Sequence, residues 1–526
     1  MKKLLVLLLT ICIAFSSICV VAFAEADPNA TIGNEGAENV VPETKTVESL
    51  VGAFYLQGES GTGLMGDGTT FKSEHDYEIA DKMAANLKGT NKIPFYAFDR
   101  DGAVFFDSYA EDYFFSETNA AKKAGIDFFA YNLYMGYDTS SPPNLIRNMN
   151  RQLIYHSSKY DLAEFEAKIN YAVVIDGDFD GGKAKERDIL IDKFLTQKGY
   201  QTAEDGRPVV FIVWNENIEE QITKINKDLK KTVADGADPK KTQPKTALND
   251  DVEAMYVIVL NAPNYDDAIA AGADAISWTE GMGKSGEAYT NMTAKVEANW
   301  EKGENVVPNI VTGFDKTLLA GDKAIEITAK RASNSKETDV RFSRKAEADD
   351  FVAAATAQEL VEHTKKALAT TNKPEDFNAV MFYAWDDFLG GAYLCPTKTD
   401  KVNQYDTTYI KALREYFYGK TEGMAALSVL DNQNNVVTTE ENGTVTTVNP
   451  KGEVIAKVDI NGNNLMPNKN GNEGGEGDVN GDYTLYIIIG AAAVVVIAVV
   501  IVIIVTAGKK KKATKVEEAP AEKSEE

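Results

Sequence analysis

Short apolar runs without clean apolar–polar alternation recur along the chain: Val51–Gln57, Ile126–Asn132, Ile169–Asp176, Pro208–Trp214, Ala254–Leu260, Ala273–Thr279, Asn309–Asp315 and Ala379–Trp385. Each has the length of a strand, and the missing alternation suits strands covered on both faces, where neither side meets water. Helical spacing fills the intervals. Ala120, Ala121 and Ala124 precede the second run, with Gly125 placed to cap; Ile189, Phe194 and Leu195 precede the fourth; Leu360, Val361, Thr364 and Leu368 precede the eighth. Eight strands alternating with helices predict an α/β fold, a (β/α)8 TIM-type barrel with insertions, over residues 49–420. A doubly wound open sheet is the alternative, but no Gly-rich phosphate loop follows the first run.

The largest insertion, 58–117, contains the pattern of a hairpin, Ile93–Asp99 and Ala103–Asp107 turned at Asp101-Gly102. Residues 316–355 form a further polar excursion. Past Gly419 the character changes: Val436–Val437, Thr444–Val448 and Val454–Val458 predict a small β-rich segment over 421–460. Residues 461–484 are rich in Asn and Gly, as a stalk would be, and the polar residues 25–48 read as a flexible spacer.

The ends carry addresses. Lys2 and Lys3 precede the apolar run Leu4–Val21, and Ala22-Phe23-Ala24 supplies a small-x-small cleavage pattern, so 1–24 reads as a signal peptide. Leu485–Ala507 is apolar and long enough for a transmembrane helix, and Lys509–Lys512 behind it predict a cytoplasmic tail over 508–526. The expected protein is exported and anchored in the plasma membrane, with the bulk of the chain extracellular. Removing the signal takes Cys12 and Cys19 with it and leaves Cys395 alone, so a large core rather than disulfides must hold the fold. A net charge of −25 argues against nucleic acid as a partner.

If the strand count holds, the residues at the strand C-termini share one rim, the face where barrels of this kind do chemistry. That set includes Tyr134, Asp176, Trp214 with Glu216, Trp278 with Glu280, Asp315, and Trp385 with Asp386 and Asp387. Acids combined with flat aromatic faces suit carbohydrate, since rings cover apolar sugar faces while carboxylates bond hydroxyls or act as acid and base. Asp387, Glu280 and Glu216 are the candidate catalytic acids, and Tyr134, Asp176, Trp214, Trp278, Asp315, Trp385 and Asp386 the candidate sugar contacts. Other chemistries find little support. Asp176, Asp178 and Asp180 begin like a calcium loop, but Arg187 stands where its closing Glu belongs. His75, His156 and His363 lack zinc spacing, with His363 expected on a helix surface, and no cofactor-binding or metal feature is evident.

Four stretches give a resemblance: AAKKAGIDFFAYNLY (120–134), DGRPVVFIVW (205–214), NIVTGFD (309–315) and AWDDFLGGAYLCPT (384–397). In their order they resemble the barrels of glycoside hydrolase families 99 and 71, whose type member is an endo-α-mannosidase. The resemblance implies endo-acting hydrolysis of α-linked glycans. It also implies a first Glu assisting the sugar's own 2-hydroxyl and a second Glu as acid and base. Asp387 stands at the first position, one methylene shorter, and Gly390 at the second, so the general acid is missing from that loop. Positioned proton transfer contributes roughly 10²–10⁴ in rate. Three readings stay open: Glu280 or Glu216 substitutes, the barrel binds an oligo- or polysaccharide without cleaving it, or its role is structural or adhesive with the aromatic rim buried against the insertions.

Overall fold

The computed structural model describes residues 44–56, 82, 85–100, 103–105, 111–133, 151–161, 168–176, 184–237, 246–279, 283–330, 338–399, 405–420, 427–430, 436–439, 444–449, 451, 453–459 and 463–466. The proposed signal peptide, the spacer to residue 43, Asp178, Asp180, most of the stalk, the apolar segment 485–507 and the basic tail all lie outside them. Among the described residues no helix is long and apolar enough to cross a membrane.

Eight parallel strands form one sheet: β1 (Leu50–Tyr55), β2 (Phe128–Leu133), β3 (Asn170–Ile175), β4 (Val209–Val213), β5 (Tyr256–Leu260), β6 (Ala275–Ser277), β7 (Asn309–Val311) and β8 (Ala379–Tyr383). They are ordered β6-β5-β4-β3-β2-β1-β8-β7. The two ends meet through the residues ahead of β7: Ile276 N–H bonds Asn305 O at 3.0 Å, and Val307 N–H bonds Ile276 O at 2.9 Å. The helices follow in alternation: α1 (Glu111–Lys123), α2 (Arg151–Lys159), α3 (Ala184–Leu190), α4 (Ile218–Ala237), α5 (Tyr265–Ala270), α6 (Tyr289–Trp300), α7 (Ala357–Ala369) and α8 (Thr408–Tyr418). This is the (β/α)8 barrel that the sequence predicts, with each strand inside its expected run or within a residue of it.

The barrel is filled rather than hollow. Phe54 on β1 meets Phe211 on β4 edge to face, with ring centroids 5.5 Å apart. Those strands are not neighbours, so the contact spans the interior. Lower in the barrel Gly52 leaves room for its neighbours' side chains: a Cβ there would lie 2.4 Å from the Phe128 ring and 2.5 Å from the Met381 sulfur. A second apolar layer lies outside the sheet, where Tyr55, Phe129, Tyr131 and Trp385 interlock beneath α1, with centroids 4.8–5.3 Å apart in successive pairs. Gly125, at φ +91°, ends α1 in the left-handed conformation that favours Gly and turns the chain into β2.

Antiparallel hairpins decorate the barrel. Phe98–Arg100 pairs with Ala103–Phe105, as the Asp101-Gly102 turn signal predicts, and Ile325–Lys330 pairs with Thr338–Arg344 within the 316–355 excursion. After α8 the chain forms a four-stranded antiparallel meander, Leu427–Leu430, Val436–Thr439, Val445–Val448 and Val454–Val458. Its first strand is not legible in the sequence.

His363 corrects an expectation. It is buried rather than exposed, stacked on Trp300 at 5.2 Å, with Nδ1 3.0 Å from Glu297 Oε1. Leu360, His363, Thr364 and Ala367 share the buried stripe of α7, so His363 belongs to the helix's inner face.

Candidate functional site

Because all eight strands are parallel, the residues that follow them share one rim. The end of β8 dominates it. Trp385 N–H bonds Phe54 O at 2.8 Å, and the Asp386 carboxyl accepts Leu56 N–H at 2.7 Å, so this segment is sewn to the end of β1. Asp386 and Asp387 then pair antiparallel with Tyr393 and Ala392. Asp387 turns back on its own loop: Oδ1 accepts Gly390 N–H at 2.8 Å, and Tyr383 donates its hydroxyl to Oδ2 at 3.3 Å. Both acids are buried.

The loop has no room for another side chain. A Cβ on Gly390 would lie 2.2 Å from Asp387 Oδ2 and 2.6 Å from its Cγ. Gly391, at φ +69°, is pressed against Asp315, and a Cβ on Gly313 would lie 2.2 Å from Gly391 O. Gly390, the residue at the position of the general acid in the resemblance, is therefore built into the packing of this turn.

Trp385 is not a platform for sugar. The strand pleat breaks after Tyr383, which faces Phe54 in the barrel interior, and Trp385 instead points outward beneath α1. Its indole is fully buried and donates to Glu117 Oε1 at 3.3 Å. Glu117 is the residue that sequence reasoning missed. It lies fully buried, accepts the Tyr55 hydroxyl at 2.7 Å, and has the Cys395 thiol 3.8 Å away. Burial pushes its pKa up to about 7, against hydrogen bonds from Tyr55, Trp385, Tyr96 and Cys395 that pull it down. The expectation placed residue 117 in the insertion, whereas α1 begins at Glu111. The spacing of Phe114, Glu117, Thr118 and Ala121 along one buried face was the available signal.

The other candidates are scattered in role. Asp315 is half-buried and paired with Lys92 at 2.8 Å, and it accepts the Thr317 hydroxyl at 2.6 Å. Its pKa is lowered: burial would raise it, and the bonds from Lys92 and Thr317 outweigh that. It serves as a clamp for this loop. Trp214 is partly exposed at the end of β4, with Glu216 exposed beside it, and Asp176 is exposed at the end of β3. Trp278 is partly exposed just after β6, and Lys302, just past α6, lies 6.0 Å over its ring. Tyr134 and Glu280 lie outside the described residues. Among the described residues, no three His, Cys, Asp or Glu side chains gather as a metal site would require.

Fold and rim together define a (β/α)8 barrel whose eighth strand ends in a closed, acid-clamped turn. No protein family and no curated protein matches the sequence. Among solved structures, two of the family 99 endo-α-mannosidase from Bacteroides thetaiotaomicron align with 97% of their own length and 70% of this chain. One is in complex with BIS-TRIS-propane. The pair give TM-scores of 0.40 and 0.39 at 12% identity. A xylanase and α-amylase inhibitor protein in complex with trehalose aligns over 52% of this chain and 91% of its own, with a TM-score of 0.27 at 10% identity.

Proposed function

We propose that this chain is an exported, membrane-anchored barrel that binds an oligo- or polysaccharide and does not cleave it. One observation carries the loss of catalysis: the Asp387 carboxyl is folded onto Gly390 N–H at 2.8 Å, in the space a side chain at 390 would need. In the resemblance those two positions hold the pair of acids that cleave the glycosidic bond. Here one acid is committed to the turn and the other is absent. Direct retention sets two carboxyl groups about 5–5.5 Å apart and inversion about 6.5–9.5 Å, while the 2-hydroxyl-assisted route that the resemblance implies need keep neither spacing but still uses both acids.

The sugar reading rests on the four resembling segments and on the acids and partly exposed Trp214 that follow the strands. Anchoring rests on the apolar stretch 485–507 and the lysines behind it, export on the leader 1–24, and separation from the membrane on the stalk 461–484. The full chain in detergent, presented to a panel of α-linked oligosaccharides, should retain ligand without releasing reducing ends. Turnover that Glu216→Gln or Glu280→Gln abolishes would show instead that a different rim acid has taken over the chemistry.

A further inference from the structure

Glu117 lies fully buried where separate stretches of chain converge. Tyr55 reaches it from β1 at 2.7 Å, Trp385 from beyond β8 at 3.3 Å, and Cys395 at 3.8 Å, while Tyr96 adds a further bond. We propose that Glu117 is a proton-operated latch: protonated, it joins α1 to the end of β8, and deprotonated it places in the core a charge whose desolvation cost outweighs its hydrogen bonds and loosens this junction.

The neutral acid fits its surroundings. Its two oxygens accept from Trp385 and from the Tyr55 hydroxyl, and as a neutral acid the group does so without placing a charge in the core. The carboxylate would keep the donors but lose the water that solvates it, and burial is the larger effect. The groups around it do not relieve this. Tyr55, Tyr96 and Tyr131 are pushed well above the ordinary tyrosine range by burial, as is the Cys395 thiol, so none of them gives up a proton first. Asp386 is a second buried carboxyl close enough to act electrostatically on Tyr55, Tyr96, Tyr131 and Cys395. His156 on α2 approaches Tyr131 from the far side, at 2.9 Å, and burial holds it down to about 3, so it is neutral throughout this range. Between pH 5 and 8 the tyrosines, the thiol and His156 keep one state, so none of them supplies the change of charge assigned to Glu117.

The sign follows. A carboxyl raised from 4.5 to about 7 on folding contributes stability that is full below pH 4.5 and lost as pH rises through about 7. The loss is about 300-fold in the folding equilibrium. His156 has the opposite slope below pH 6.5, so the two offset each other in the total profile, and the difference from a Glu117→Gln variant isolates the latch.

The full chain in detergent would be followed by tryptophan fluorescence and by urea unfolding from pH 5 to 8.5. The parent should show a fluorescence step with a midpoint near 7 that is absent in Glu117→Gln and in Trp385→Phe. Its stability relative to Glu117→Gln should fall with pH over the same interval. Tyr55→Phe removes a donor that favours the charged form and should move the midpoint upward. Should Glu117→Gln fail to fold, the parent, Trp385→Phe and Tyr55→Phe titrations still decide. No step in the parent, a step that survives Trp385→Phe, or a midpoint that moves down in Tyr55→Phe would overturn the latch.

Discussion

Adding one methyl group at residue 390 probes how tightly the rim turn is closed. An alanine Cβ would sit 2.2 Å from Asp387 Oδ2, and the residue is buried, so the methyl group cannot swing into solvent. Relief requires Asp387 to leave its place, breaking its 2.8 Å bond from Gly390 N–H and its weaker 3.3 Å bond from Tyr383. A hydrogen bond to a charged group contributes roughly 1.5–3 kcal/mol, and overpacking a core adds roughly 1–3 kcal/mol. Gly390→Ala should therefore cost about 2–4 kcal/mol, read as a shift in urea midpoint at unchanged slope. The partner test is Asp387→Ala, which empties the space. In that background Gly390→Ala should cost at least 1 kcal/mol less than it does alone, a coupling expected only of groups in contact. A cost below about 0.5 kcal/mol for Gly390→Ala, or no coupling to Asp387, would refute the closed turn. Gly390→Glu does not restore a glycosidase in this geometry, because the new side chain would displace the Asp387 carboxyl it needs.

Three further outcomes are expected. Trp385→Phe keeps most of the buried ring but removes one of the donors to the buried Glu117, so it should lower stability by about 1–3 kcal/mol while leaving sugar affinity unchanged; weakened sugar binding with full stability would reinstate Trp385 as a platform. His156, held neutral by burial with a pKa near 3 against 6.5 unfolded, contributes stability that is present above pH 6.5 and lost as pH falls toward 3, up to about 5 kcal/mol; acid unfolding no steeper than that of a folded His156→Phe variant would argue against this. Lys92→Met removes the cation that holds Asp315 and should return the Asp315 pKa toward the ordinary carboxylate range, observable by carboxyl NMR; an unmoved pKa would mean Thr317 alone supplies the shift.

The barrel was legible because strands covered on both faces leave long apolar runs, and because a cap residue such as Gly125 marks where a helix gives way to the next strand. The shared rim followed from parallel topology alone. What the sequence hid was the direction of side chains once the ladder ended. Tyr383 and Trp385 are two residues apart and by strand alternation belong on one face, yet they point to opposite sides of the sheet. Likewise an acid after a strand reads alike whether it meets substrate or, as with Asp386 and Asp387, a backbone N–H nearby. Glu117 was hidden for a different cause, since its partners Tyr55, Trp385 and Cys395 are far away in sequence and only the fold brings them together.

The most direct test of a barrel that binds without cleaving is to measure affinity and turnover together on the same α-linked oligosaccharides with the full chain. Saturable binding with no reducing-end release above buffer, and no change when Asp387 becomes Asn, is the expected result. Asparagine can still accept the Gly390 N–H, so the turn should survive. Release of product by the parent that falls at least about 10²-fold in Asp387→Asn with affinity unchanged would show Asp387 acting in the transition state and contradict a silent rim. Absence of binding to every glycan offered would contradict the carbohydrate reading itself.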